Sequence, residues 1–263
     1  MPSTYAHYRF GRDVAPLLPP EDGRILLKYP ELFLIGLHGP DIFFYSNPLG
    51  SSPVSRVGYA MHEEPGLSFF TPALEALNTL PDREAGLAYL YGFACHFALD
   101  SICHPYVEAR REQTGISHTE LESEFERRLM LHDGLDPLRH FPAGHIVPSI
   151  RNARVIAAFF PSLSDKEVQK SLRSMKICLR LLMTPCPLWH FLVDTAFLIS
   201  GSYASMHGLL MSRKENPACR ESSRRLAQLY RQALPTAVSL IRSLSGCAHG
   251  NGMPDPHFRH TFG

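Results

Sequence analysis

The sequence predicts an all-α fold: a single compact multi-helix domain spanning residues 1–263. Three observations carry that expectation. Apolar residues recur at three- and four-residue spacing along most of the chain, the period of helices with one face in a core. No run of alternating apolar and polar residues is long enough to build a sheet. No internal repeat, low-complexity tract or convincing linker divides the chain. A length of 263 residues leaves room for an ample core, and 44% hydrophobic against 19% charged residues is the composition of a globular protein.

The elements follow in order. Tyr5 to Leu18 reads as a first helix stopped by Pro19-Pro20. Ile25 to Leu37 is mostly apolar and ends at Gly39-Pro40. The stretch 41–53, rich in Pro, Gly, Ser and Asn, reads as a loop. Arg83 to Val107 is apolar nearly all round and meets no proline before Pro105, so a buried central helix is expected. Ser117 is a good N-cap for a charged helix running to Leu131, with one face in water. Amphipathic segments follow near Arg151–Phe160, Asp165–Met183, Trp189–Met211 and Pro217–Leu244. The tail 245–263, rich in Gly, Pro and His, is expected to be irregular and flexible. The motifs with chemical meaning all fall within 5–130; the helices of 150–244 carry none that can be placed.

Composition narrows the function. A net charge of +1 argues against an extended nucleic-acid surface and against electrostatic capture by anionic membranes. The opening residues show no basic stretch followed by an apolar run, so no secretory signal is expected and the default location is cytoplasmic. No apolar segment has transmembrane length; the best candidate, Leu179 to Leu198, is broken by prolines and holds Asp194. Six scattered cysteines without a C-x-x-C pair read as buried reduced thiols.

The chemistry concentrates in the central helix. His96, Asp100 and His104 stand four apart, and positions i, i+4 and i+8 drift by only about 40° per step, so they form one stripe. Apolar residues surround them. Two imidazoles and a carboxylate on a buried face need partners, because an isolated buried charge costs several kcal/mol. A divalent metal supplies that partner, and nitrogen with carboxylate oxygen is a set suited to zinc. The next helix repeats the i,i+4 spacing with His118 and Glu122, and antiparallel packing would bring the two stripes together. Either pair alone is ordinarily a satisfied core histidine or a solvated pair; two on adjacent helices point to metal.

These residues also carry a resemblance. Gly92-Phe93-Ala94-Cys95-His96-Phe97-Ala98-Leu99-Asp100-Ser101-Ile102-Cys103-His104-Pro105 resembles the H-x3-D signature, with a further histidine nearby, of the zinc-dependent phospholipase C family. Ser117 to Phe125 resembles that family's H-x3-E helix, His38-Gly39-Pro40-Asp41 its aspartate-bearing loop, and Tyr59-Ala60-Met61-His62 its next histidine segment. His7 sits where the family has a first-helix histidine. The resemblance covers roughly residues 5 to 130, with every motif in the family's order.

The resemblance implies a zinc-dependent phosphodiesterase with about two to three zinc ions per chain. Asp41, His62, His96 and Asp100 would hold the first, and His104, His118 and Glu122 the second. Asp100 would bridge to a third completed by His7. Asp41 would be a ligand or the general base on the attacking water. The substrate implied is a phospholipid or another phosphodiester. A nuclease or nucleotidase on the same centre is the alternative enzyme; a catalytically silent, zinc-stabilised binding module is the alternative of another class. Secreted members begin at a tryptophan whose amine and carbonyl bind zinc, whereas this chain has Met1-Pro2, so after loss of Met1 the Pro2 amine is a candidate for that place.

Other residues invite readings. His132-Asp133 is an HD dipeptide, but it sits at a helix end without a matching distant His and Asp. His38 is a partner of the centre or a loop histidine, and Trp189-His190 reads as core. His249, His257 and His260 fit a flexible tail better than a metal tract.

Overall fold

The computed structural model of the chain describes residues 4–48, 50–183, 186–199, 207–212 and 214–263. The chain runs through α1 (Thr4–Val14), α2 (Pro20–Lys28), α3 (Pro30–Gly36), a 3-10 helix Gly39–Ser46, α4 (Pro53–Glu63) and α5 (Gly66–Leu77). It continues through α6 (Arg83–Thr114), α7 (His118–His132), α8 (Ile150–Ala157), α9 (Asp165–Leu182), α10 (Pro187–Ile199) and α11 (Arg220–Ala248). Among the described residues there is no strand, only one isolated antiparallel bridge between Pro65 and Thr261.

Helix α6 is the axis of the molecule. Its 32 residues span about 48 Å. The Asp82 side chain caps its start by accepting from the Ala85 N–H at 3.2 Å. Gly115 closes it in the left-handed conformation, φ +71, with its N–H on the Arg111 carbonyl at 2.8 Å. Pro105 removes one helical N–H but does not end the helix, which continues to Thr114 because partners on both sides hold it. Every residue from Ala85 to Asp100 is buried, the all-round apolar pattern expected of a core helix. The apolar stripe of α11, including Leu226, Leu229, Ala233, Ala237 and Leu240, packs along it.

Helix α3 crosses α6 at two glycines. A Cβ on Gly92 would lie 2.1 Å from the Phe33 carbonyl oxygen, and one on Gly36 would lie 2.2 Å from that of Tyr89. The two backbones therefore touch with no room for a side chain, and this contact fixes where the chain leaves α3 toward Asp41.

Several sequence expectations are corrected. Pro20 does not merely stop α1; it is the first residue of α2, where its missing N–H costs nothing. The stretch 25–37 is two helices, because Pro30 forces Tyr29 out of the helical region and then opens α3. Gly39–Ser46 is a 3-10 helix rather than loop, with Ile42 and Phe43 fully buried beneath α4 and α9. Helices α4 and α5 were not anticipated; α4 begins with a reciprocal Ser52–Ser55 capping box and Pro53 at its first position. The predicted helix Trp189–Met211 appears as α10 to Ile199, and residues 200–206 lie outside the described ones. Trp189 is not core: it is 38% exposed, with its indole N–H on the Leu181 carbonyl at 2.7 Å.

The segment 254–263 is docked rather than flexible. Phe258 is buried against Phe70 and Phe97, and the Gly66 N–H donates to the His260 carbonyl at 2.9 Å. The tail histidines form no metal tract: His257 Nε2 meets the Ser101 hydroxyl at 3.0 Å, and His249 Nδ1 donates to the Ser245 carbonyl.

Candidate metal centre

The centre is built outward from α6. His96, Asp100 and His104 lie on one stripe of this helix, and their side chains converge. Asp100 divides its two oxygens. Oδ2 lies 3.0 Å from His96 Nε2, while Oδ1 lies 3.5 Å from His104 Nε2. Helix α1 then brings His7, whose Nε2 is 3.2 Å from the same Oδ1.

The α3–α6 contact delivers the turn that follows. Gly39, at φ +47, lies flat against the His96 ring, where a Cβ would approach Cδ2 to 2.2 Å. Both its conformation and the lack of space demand glycine. Two residues on, Asp41 Oδ1 faces His62 Nε2 at 3.2 Å and His96 Nε2 at 4.0 Å. His62 stands in the last turn of α4 and donates from Nδ1 to the Gly58 carbonyl at 2.8 Å, which leaves its Nε2 lone pair directed at Asp41.

Helix α7 completes the arrangement. His104 Nε2 and His118 Nε2 each lie 3.2 Å from Glu122 Oε1. His118 donates from Nδ1 to Glu108 Oε1 at 2.6 Å. Residue 104 meets 122 and 108 meets 118, the register of antiparallel neighbours that the paired i,i+4 spacings call for.

Three groups of ligand-type atoms result, each within 4.8 Å: His7–His96–Asp100, Asp41–His62–His96 and His104–His118–Glu122. Six of the eight residues are buried, His96 completely, and His62 and His118 partly so. Several of the atoms involved have no hydrogen-bond partner: Oδ1 of Asp41, Nε2 of His62, both ring nitrogens of His96 and Nε2 of His118. Buried polar atoms are normally satisfied, so lone pairs that converge without bonding one another fit a cation between them. Oxygen and imidazole nitrogen, with Glu108 and the Gly58 carbonyl orienting two of the rings from behind, are a donor set that suits zinc.

The electrostatics agree. Burial alone would push the Asp100 carboxyl up, but the imidazoles of His104, His96 and His7 that surround it hold it well below the usual carboxylate range. Burial would lower His62, yet Asp41 and Asp100 raise it above its ordinary value. His96 goes the other way, because burial outweighs its acidic neighbours. An anionic Asp100 beside a neutral His96 is the state in which both can serve a cation.

The family model for zinc-dependent phospholipase C matches residues 6–169, well over half of the chain. The chain belongs to that family. No curated protein and no solved structure matches it significantly. Membership in the zinc-dependent phospholipase C family and the three groups support a zinc-dependent hydrolase with an all-helical fold, and no described helix is long and apolar enough to cross a membrane.

All eight residues singled out from the sequence of this phospholipase C-family chain fall in the three groups. The Pro2 amine lies outside the described residues. His38 joins no group; its buried Nε2 meets His145 Nε2 at 2.7 Å, and His145 stacks on Tyr8 with ring centroids 4.3 Å apart. His132-Asp133 is no metal dipeptide: His132 faces solvent, and Asp133 takes Arg9 Nε at 2.6 Å and the Tyr5 hydroxyl at 2.7 Å.

Two supporting residues escaped the sequence reading. Glu108 stands one turn beyond His104, and Glu126 one turn beyond Glu122. Glu126 is buried and accepts from the backbone N–H groups of Tyr5 and Ala6, unpaired donors of the first turn of α1. The helix that carries His7 is thus fixed by the helix that carries Glu122. Continuing each i,i+4 ladder by one step would have found both acids.

Proposed function

We propose that the chain is a zinc-dependent phosphodiester hydrolase of the phospholipase C type. Asp41, His62, His96 and Asp100 would hold one zinc, and His104, His118 and Glu122 a second. Asp100 and His7 would complete a third position. The division of Asp100 between two sets of imidazoles carries the reading: a carboxylate placed this way belongs to a multinuclear centre rather than to a single structural ion.

Zinc bound there supplies Lewis acidity, which neutralises phosphate charge and makes water acidic enough to ionise near neutral pH. The chain's own groups set the geometry. Glu108 and the Gly58 carbonyl each hold an imidazole proton on Nδ1, so Nε2 is the nitrogen that His118 and His62 would offer to a metal, and the acceptor behind each ring makes that nitrogen more basic. Asp41 is buried behind His62, whose Nε2 it faces at 3.2 Å and whose ring is the more exposed of the two, so water reaching the centre on the His62 side would meet Asp41 as its general base.

The test is zinc-loaded protein against a panel of bis-p-nitrophenyl phosphate, phospholipid, nucleotide and single-stranded nucleic acid. Chelator-sensitive turnover is expected for bis-p-nitrophenyl phosphate and for phospholipid, with a phosphorylated head group as product. Zinc-loaded protein that turns over none of the four would leave the silent, zinc-stabilised module in its place.

A further inference from the structure

Helices α4 and α5 enclose an apolar groove of about 490 Å³, lined by Val57, Met61, Pro65, Phe69, Phe160 and Phe262 among others. By contrast, the space beside His7, Asp100 and Glu122 is only about 20 Å³. That is room for little more than one water, so a phosphodiester cannot be accommodated from that side as the side chains stand.

One ring lies between the two spaces. Phe262 is 1% exposed. On one side its centroid lies 5.5 Å from that of His62 and 6.1 Å from that of His96. On the other it walls the groove, whose lining residue Met61 is the chain neighbour of His62. The segment holding it is tied down on both flanks. His260 accepts from the Gly66 N–H, Thr261 bridges to Pro65, and Phe258 is buried against Phe70. At Gly263 the backbone lies on the His104 ring, where a Cβ would come within 2.2 Å of Nδ1. The main chain is anchored on both flanks, and the Phe262 ring is the group that stands between the two spaces.

We infer that Phe262 is the partition controlling access to the centre, and that the groove behind it takes the alkyl portion of a substrate whose phosphodiester reaches Asp41 and His62 when the ring swings aside. The inference rests on the phosphodiesterase reading above for its substrate, but not for its geometry. The groove lining is mostly apolar, with Glu64, Ser68 and Ser162 as its polar residues, and the ring of its lining residue Phe262 lies against His62 and His96, so an uncharged hydrocarbon chain is the ligand it suits.

The experiment compares zinc-loaded wild type with Phe262→Leu, Phe262→Ala and Ala60→Trp, the last of which fills the groove at a lining position outside the cluster. Two quantities are read: the rate of zinc transfer to an excess of a chromophoric chelator, and kcat/KM for p-nitrophenyl methyl phosphate against the octyl homologue. Zinc transfer should quicken several-fold in the order Ala, Leu, wild type, at equal starting zinc content. The octyl-to-methyl preference should rise with both Phe262 variants and fall with Ala60→Trp. Wild-type zinc-transfer rates in Phe262→Leu, or equal gains for both homologues, would overturn the inference. Should Phe262→Ala fail to fold, Phe262→Leu and Ala60→Trp decide alone. If no form turns over either substrate, the phosphodiesterase reading fails, and the zinc-transfer rates still show whether Phe262 gates the centre.

Discussion

A carboxylate surrounded by imidazoles in a core is tolerable only if its charge is met, and Asp100 meets it on both oxygens. Around it, the residues that never touch the cluster centre matter almost as much. Glu108 holds the Nδ1 proton of His118 and so decides which nitrogen of that ring faces Glu122. Replacing it with Gln leaves a neutral acceptor that orients the ring less firmly and lowers its basicity. Glu108→Gln is therefore expected to weaken zinc at the His104–His118–Glu122 group by about 10–100-fold while sparing the Asp41–His62–His96 group. Competition titration against a chelator of known affinity measures this; unchanged affinity would mean that Glu108 is only a surface partner of His118.

At the scale of elements, the centre is assembled by contacts that serve folding and site together. Helix α1 is held through its first turn by Glu126, buried in α7. Burial pushes the Glu126 carboxyl up to about 8, so it carries a proton at neutral pH. A folded-state value above the unfolded one means that the folded chain keeps a proton the unfolded chain releases. The stability this lends is full below the unfolded carboxyl value and is lost as pH rises toward 8. Glu126→Gln keeps a neutral acceptor and removes that dependence, so its melting temperature should gain on wild type between mildly acidic and mildly alkaline pH. Glu126→Ala strands two backbone N–H groups and should lose about 2–4 kcal/mol at mildly acidic pH, with a smaller loss as pH rises toward 8, together with His7-dependent zinc. Parallel melting curves for wild type and Glu126→Gln across that range would show that the carboxyl is ionised in the fold. Helix identity was legible where the pattern was long: α7, α9 and α11 were found nearly to their ends, and α6 from its first residue to Val107, about two turns short of Thr114. The misplaced boundaries at three prolines share one cause. Pro20 was read as a stop, Pro30 was passed over inside one apolar run and Pro53 was left in a loop, whereas each opens a helix at the position where a missing N–H is harmless.

Across the whole molecule, the site was more legible than the fold around it. Residues four apart on one helix announce a shared face without any knowledge of tertiary structure, and His96, Asp100, His104, His118 and Glu122 are all of that kind. Asp41 and His62 were placed by resemblance rather than by spacing, since nothing local says that the turn after α3 lies against His96. What puts it there is the Gly36–Gly92 backbone contact, which pairs residues far apart in sequence. The segment 254–263 was misread for the same reason. Its Gly, Pro and His content describes a loop, and only the bound positions of Phe258 and Phe262 against α5 and α6 reveal that it closes the core beside the centre. The central claim is that Asp100 joins two zinc-holding groups into one centre. It is tested most directly by the zinc content of purified wild type, Asp100→Asn and Glu122→Gln after growth in zinc-replete medium, measured alongside turnover of bis-p-nitrophenyl phosphate. Wild type should hold more than one zinc per chain, Glu122→Gln should lose zinc from one group only, and Asp100→Asn should lose zinc from both groups and with it all turnover. An Asp100→Asn protein with wild-type zinc content and wild-type turnover would contradict the account.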